Sequence, residues 1–400
     1  MPFSAMPHLP PTNGFTSKLL AILFLCTATG MQAGEPVSAD VFVSGADGYA
    51  GYRIPAIEVT ANGTLVAFAE ARKHNLADPG FGKQDIDLVY KTSSDGGKSW
   101  SNMILMEDPG EFWSAANPCT LVDRERARVW VFYIRSEPKR SSATSRPQTR
   151  DMMNFARYSD DNAQTWSDPI DLTEVARDMN DPNWRVSVPG PGGGIQTRSG
   201  VLMVPIWGST VDRGPDLNMT IFSNDHGQTW KRGQWAPLPH GGDENQLVEL
   251  ANGTILMDTR QNKQNQGHRW LSVSSDNGKT WDKTRHGTRV SPVACAIERY
   301  SLAGDKQHGA SNNQQNRILW TGPKGPGRKH LIMRISYDEG KTFTDERTIA
   351  TGPAAYSDLS ILKDGAVGVL WERADYKFIT FTKLDRPFIE KRGIEEPEKS

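Results

Sequence analysis

The chain has 400 residues, with 46 Lys and Arg against 47 Asp and Glu and a formal net charge of −1, so no overall field draws it to nucleic acid or to an anionic membrane surface. A composition 37% hydrophobic and 23% charged, with 37 Gly, 25 Pro and 12 Trp, is that of a globular chain of many short strands and tight turns, and it excludes a helical bundle. The length suits one large all-β unit.

The first element in chain order is an apolar run, Leu19 to Cys26, preceded by Lys18 and followed by small residues up to Ala33 and Gly34. That order of charge, apolar core and small residues predicts a signal peptide over 1–33. It also predicts a secreted or periplasmic body over 34–400. The run is too short to cross a bilayer, so no integral membrane segment is expected in the mature chain. Cys26 falls in the run; Cys119 and Cys295 remain in the body, and spacing leaves open whether they pair.

Five copies of one phrase then follow: Ser93 to Trp100, Ser159 to Trp166, Ser223 to Trp230, Ser274 to Trp281 and Ser336 to Phe343. Each places Ser, Asp, Gly (Ala163 in the second copy), Ser or Thr, and an aromatic at the same offsets. They recur roughly every 50–65 residues, the length of one four-stranded blade with variable loops. The chemistry is that of a hairpin turn, in which Asp accepts backbone N–H bonds and Gly supplies positive φ. A calcium loop would need further carboxylates at coordinating spacing, and each copy lacks them.

Strand-like segments precede every copy: Asp87 to Thr92, Met153 to Tyr158, Met219 to Phe222, Trp270 to Val273 and Leu331 to Ile335. A sixth, unmarked unit reads from Ala354 to Thr382, with strands at Asp358 to Leu362, Val367 to Trp371 and Phe378 to Phe381. The fold class predicted is therefore all-β, a six-bladed β-propeller, closed by pairing Val41 to Val43 with the C-terminal blade. Residues Asp385 to Ser400 are increasingly charged and are expected to trail over the surface. The run Gly190 to Gly194 lacks the Lys-Ser/Thr of a phosphate loop and reads as a tight loop at a blade end. The eight histidines show no zinc-ligand spacing.

Tyr52-Arg53-Ile54-Pro55 followed by the repeated turn phrases resembles the sialidase (neuraminidase) superfamily, in particular the bacterial and trypanosomal type of glycoside hydrolase family 33, from about Val41 to Leu384. The resemblance implies an exo-α-sialidase acting on sialylated glycoconjugates by a retaining mechanism, with no cofactor. Sialic acid carries an ionised carboxylate, which planar guanidinium forks match. The family's three arginines fall on Arg53, Arg260 and Arg328, with Arg317 and Arg334 near the last; Arg72 is an auxiliary contact or a structural ion pair.

The family's nucleophile falls on Tyr356 and its base partner on Glu244, with Asp243 and Glu249 as rivals. A neutral phenol avoids the repulsion that a carboxylate nucleophile would meet at an anomeric carbon already bearing one, and a phenol needs a base to share its proton. The acid falls on Asp78, in the Gly/Pro-containing loop Lys73 to Gly82, with Asp85 and Asp87 as competitors. Glu372 and Glu70 resemble supports for Arg53 and Arg72. Phe112, Trp113 and Trp184 are the aromatics proposed for an apolar wall.

Overall fold

The computed structural model describes residues 36–212, 214–238, 241–261, 267–304 and 315–390. The predicted signal segment and Cys26 lie outside them. The described chain is all-β apart from two short helices, Thr173–Ala176 and Arg386–Glu390. No described helix is long and apolar enough to cross a membrane.

Four curled sheets carry the strands. The first runs from Gly51–Val59 through Leu65–Arg72, Ile86–Ser93, Ser114–Asp123, Arg128–Ser136 and Met152–Ser159 to Ile170–Asp171. The second is built on Trp184–Pro189, Leu202–Thr210 and Gly214–Ser223, and the third on Asn245–Glu249, Ile255–Thr259, His268–Ser274 and Arg285–Arg289. The fourth joins Ala296–Ser301, Arg317–Pro323, Lys329–Ser336, Asp345–Ile361, Val367–Arg373 and Phe378–Leu384, and ends on the N-terminal strand Val37–Val43. Val43 pairs with Phe378 and Val37 with Lys383, so the first strand covers the last strand's edge as the closure reading expected.

The five turn phrases fold alike. In each, one Asp oxygen accepts from the Ser hydroxyl two residues before and from the backbone N–H four residues after, and the other accepts the hydroxyl at that later position. These donors hold the carboxyls of Asp161 and Asp225 down at about 2. Every phrase also docks on the sheet segment before it. Trp166 packs edge-on against Phe68 at 5.7 Å and Trp230 against Trp130 at 5.8 Å, while Gly278 abuts Met203 and Gly340 abuts Leu256. The first phrase docks on the last strand: Trp100 meets Phe381 at 5.5 Å, and a side chain on Gly97 (φ +87°) would overlap that ring. The phrases thus fasten one sheet segment to the next by burying aromatic surface.

Two expectations need correction, and one open question is answered. Gly192–Gly193 is no blade-end loop but a short strand that pairs in parallel with Cys119 and Thr120; Gly192 lies against Gln246 and Asp358, where only a hydrogen leaves room. Residues 386–390 do not trail, because Ile389 is buried with Val367 and Leu384. Cys119 and Cys295 are both buried and free, in separate core clusters.

Candidate active site

Three strands that line the centre carry a local break in register next to a chemically active side chain. The pairing of Gly51–Val59 with Leu65–Arg72 shifts between Arg53 and Ala56, where Ile54 takes φ +59°. Ser114–Asp123 shifts between Ala116 and Cys119, with Asn117 at φ +57°. The long strand Asp345–Ile361 shifts between Ala354 and Ser357 as it passes from one partner strand to the other, and Tyr356 sits in that bulge. Bulges bend a strand and re-aim its side chains; here they turn Arg53, Asn117 and Tyr356 into one cavity of about 230 Å3.

That cavity is also lined by Glu70, Arg72, Asp78, Asp243, Glu244, Arg260 and Arg328. Eight of the nine predicted site residues therefore meet there, and the ninth, Glu372, lies directly behind. Glu372 accepts from Arg53 Nε at 2.6 Å, from Ile54 N at 2.9 Å and from Tyr356 N at 3.2 Å. It ties the first arginine to the backbone of two bulges.

The Tyr356 hydroxyl donates to Glu244 Oε1 at 2.5 Å, and Arg260 Nη1 donates to Glu244 Oε2 at 2.5 Å and to the Tyr356 oxygen at 2.6 Å. Glu244 reaches this point because it immediately precedes strand Asn245–Glu249 and Arg260 immediately follows strand Ile255–Thr259, which pair with each other. Burial pushes the Tyr356 phenol well above its usual range; Arg260 and Arg53 oppose this, and Glu244 reinforces it. The phenol is therefore neutral at rest, with its proton directed at a carboxylate. Arg53, Arg260 and Arg328 hold their guanidinium carbons 5.3, 5.9 and 5.4 Å from the Tyr356 ring centroid.

Also lining the cavity, Arg72 donates to Glu70 Oε2 through Nε at 3.0 Å and Nη2 at 2.6 Å, and through Nη1 to Asp78 Oδ1 at 3.0 Å and to the Leu76 carbonyl. Glu70 also accepts from Asn117 N at 2.9 Å. Asp78 Oδ1 lies 3.8 Å from Arg53 Nη1, with its side chain 65% exposed at the cavity mouth. Its competitors are used elsewhere: Lys73 bridges Asp85 at 2.9 Å and Asp87 at 3.2 Å, and Tyr49 donates to Asp87. Glu249 pairs with Arg198, Arg334 with Glu346, and Arg317 donates to Ser301, all away from this cavity. Asp243 does line it, 3.6 Å from Arg260 Nε.

The apolar wall differs from the expectation. Trp184 packs at a tilt against Trp235 at 4.5 Å, and neither Phe112 nor Trp113 lines the cavity. Phe81, Ile134, Met152, Val188 and Trp207 do. Nothing local marks them, since Ile134, Val188 and Trp207 sit in strands whose apolar pattern is shared by the whole core. A second cavity, of about 390 Å3, is lined by Glu58, Arg124, Gln246, Glu298 and Asp358 and holds none of the predicted site residues.

Residues 63–369, well over half the chain, match the family model described as a BNR repeat-like domain. The sialidase of Micromonospora viridifaciens is 28% identical over 372 residues, covering 85% of this chain and 53% of that protein. The chain belongs to the exo-α-sialidase superfamily. A sialidase-family relative from Bacteroides fragilis is 28% identical over 395 residues, covering 91% of this chain and 70% of its own length. Among solved structures, the Hadza microbial sialidase Hz136 superposes with a TM-score of 0.77 at 25% identity, covering 87% of this chain and 68% of that one. The chain thus spans about half of the first of these sialidase relatives and about two thirds of the others.

Proposed function

We propose that the chain is an exo-α-sialidase that releases terminal sialic acid from glycoconjugates with retention of configuration, on a ring of six blades. The observation that carries the reading is the buried Tyr356–Glu244 hydrogen bond of 2.5 Å beneath three guanidinium groups. Arg53, Arg260 and Arg328 hold the substrate carboxylate. That anion replaces Asp78 beside Arg53 and leaves the acid facing the glycosidic oxygen.

Tyr356 Oη attacks the anomeric carbon as Glu244 takes the phenol proton, and the leaving oxygen departs with a proton from Asp78. In the second half, Asp78 takes a proton from water, the water oxygen displaces Tyr356 and Glu244 returns the proton to the phenol. Arg72, paired with Glu70, stands beside the acid, and the wall of Ile134, Met152, Val188 and Trp207 accepts the apolar part of the sugar's acyl group.

The test is release of a fluorogenic sialoside by Tyr356→Phe and Asp78→Ala. Each is expected to lose about 10²–10⁴-fold in turnover, with thermal unfolding close to wild type. Unimpaired turnover in both overturns the assignment, and a panel of sialyl-lactoses reads the linkage accepted.

A further inference from the structure

Arg53, within strand Gly51–Val59, and Arg328, just before strand Lys329–Ser336, reach the cavity from positions far apart in the chain, and the Tyr376 side chain touches both. Tyr376 lies in the turn between Val367–Arg373 and Phe378–Leu384. The Arg53 guanidinium carbon is 4.3 Å from its ring centroid, and Arg328 Nη1 donates to its hydroxyl at 2.8 Å. We infer that Tyr376 is a positioning residue for the carboxylate clamp, a neutral clip that orients two of the three guanidinium groups without neutralising either.

The argument is electrostatic. Arg53 is paired with Glu372 and Arg260 with Glu244, so both bring a charge already partly offset. Arg328 has no carboxylate within ion-pair distance among the described residues, and its side chain donates to the Tyr376 phenol instead. A phenol oxygen carries only partial negative charge. It fixes the direction of an N–H bond and leaves the cation's full charge for an anionic ligand, as a carboxylate would not. The ring face beside Arg53 acts in the same sense, packing against the guanidinium without taking up an N–H.

The backbone is built to hold this ring in place. Ala374, Asp375 and Tyr376 have φ of +52°, +52° and +69°, three successive non-glycine residues in the left-handed region. Such a turn persists only when its surroundings over-determine it. Ala374 N donates to Pro353 O at 3.2 Å, Ser44 N to Lys377 O at 2.9 Å and the Ser44 hydroxyl to Tyr376 O at 2.7 Å. The ring itself packs against the cluster that contains Ile54 and Tyr356.

The inference rests on the proposed sialoside reading and is tested with the full chain. Tyr376→Phe keeps the ring and removes the hydroxyl. A clamp contact present in both the ground and transition states is uniform binding, so KM for a fluorogenic sialoside is expected to rise about five- to twenty-fold with kcat within about twofold. In an Arg328→Ala background the same change is expected to add nothing. An unchanged KM, or an equal rise in the Arg328→Ala background, overturns the positioning role. Tyr376→Leu also removes the ring beneath Arg53 and is expected to raise KM further, with thermal unfolding measured alongside to separate loss of fold. If the wild-type chain cleaves no sialoside, the proposed function fails on its own. Calorimetric binding of free N-acetylneuraminate to wild type and Tyr376→Phe then reads the clip: a fivefold or greater loss supports it, and equal affinity refutes it.

Discussion

Removing Glu372 tests how the first arginine is held. The carboxylate is 1% exposed and accepts four hydrogen bonds, two from Arg53 at 2.6 and 3.4 Å and two from the backbone of Ile54 and Tyr356 at 2.9 and 3.2 Å. Glu372→Ala leaves the Arg53 cation, itself 7% exposed, without its buried partner; breaking one side of such a pair costs about 3–5 kcal/mol. Two orphaned N–H groups would add about 1–3 kcal/mol each if they stayed dry, but the vacated space adjoins the turn of Asp375 and Tyr376, and water entering there keeps the total near the lower figure. Glu372→Gln retains an oxygen for Arg53 Nε and turns an amide toward the remaining donors, for a loss of about 1–2 kcal/mol.

The assay is urea unfolding at pH 7, reading the midpoint at constant slope, beside steady-state kinetics on a sialoside. The expected order is wild type above Glu372→Gln above Glu372→Ala, with KM rising in the same order as Arg53 loses its orientation. A loss below about 1 kcal/mol for Glu372→Ala with KM unchanged would refute the reasoning, because a buried pair cannot be broken so cheaply.

The carboxyls of Asp358 and Glu58 beside the second cavity are both pushed up to about 7, chiefly by burial, and that of Glu298 is raised by the same cause. Between about pH 4 and 7 the folded chain holds protons that the unfolded chain has released, so stability is expected to fall as pH rises through that window. For the fully buried Asp358 the slope is up to about 1.4 kcal/mol per pH unit. Thermal midpoints from pH 4.5 to 8.5 check this, and a steady rise from pH 5 to 8 would contradict it. Gly192→Ala places a methyl on a left-handed residue (φ +98°) against Gln246 and Asp358, and is expected to cost about 2–4 kcal/mol in urea unfolding. Gly253→Ala, at φ +86° with nothing within 4 Å, isolates the backbone part and should cost about 1–2 kcal/mol. Equal losses for the two would remove the packing argument.

Much of the architecture was legible because its chemistry is local. Each turn phrase closes its hydrogen bonds within a few residues, so Ser, Asp and Thr at fixed offsets already specify the hairpin. Glu70 and Arg72 were readable as neighbours from strand alternation alone. The arginines, Tyr356, Glu244 and Asp78 were legible only through the family's motifs, since a lone exposed arginine or loop acid carries no signal of its own.

The sequence by itself determined the repeated turns and their strands, because period and turn chemistry act over short stretches of chain. Tertiary structure brings together the distant groups that only the family's motifs had paired: Glu244 and Tyr356 are 112 residues apart, and Arg53 and Glu372 are 319 apart. It also decided the wall of Met152 and Trp207, the central path of Gly192 and Gly193, and the contact of Tyr376 with two arginines. The physical reason is that a one-residue shift in register sends a side chain to the opposite face of its sheet. The bulges at Ile54, Asn117 and Tyr356 set those registers, and no local pattern in the sequence marks them.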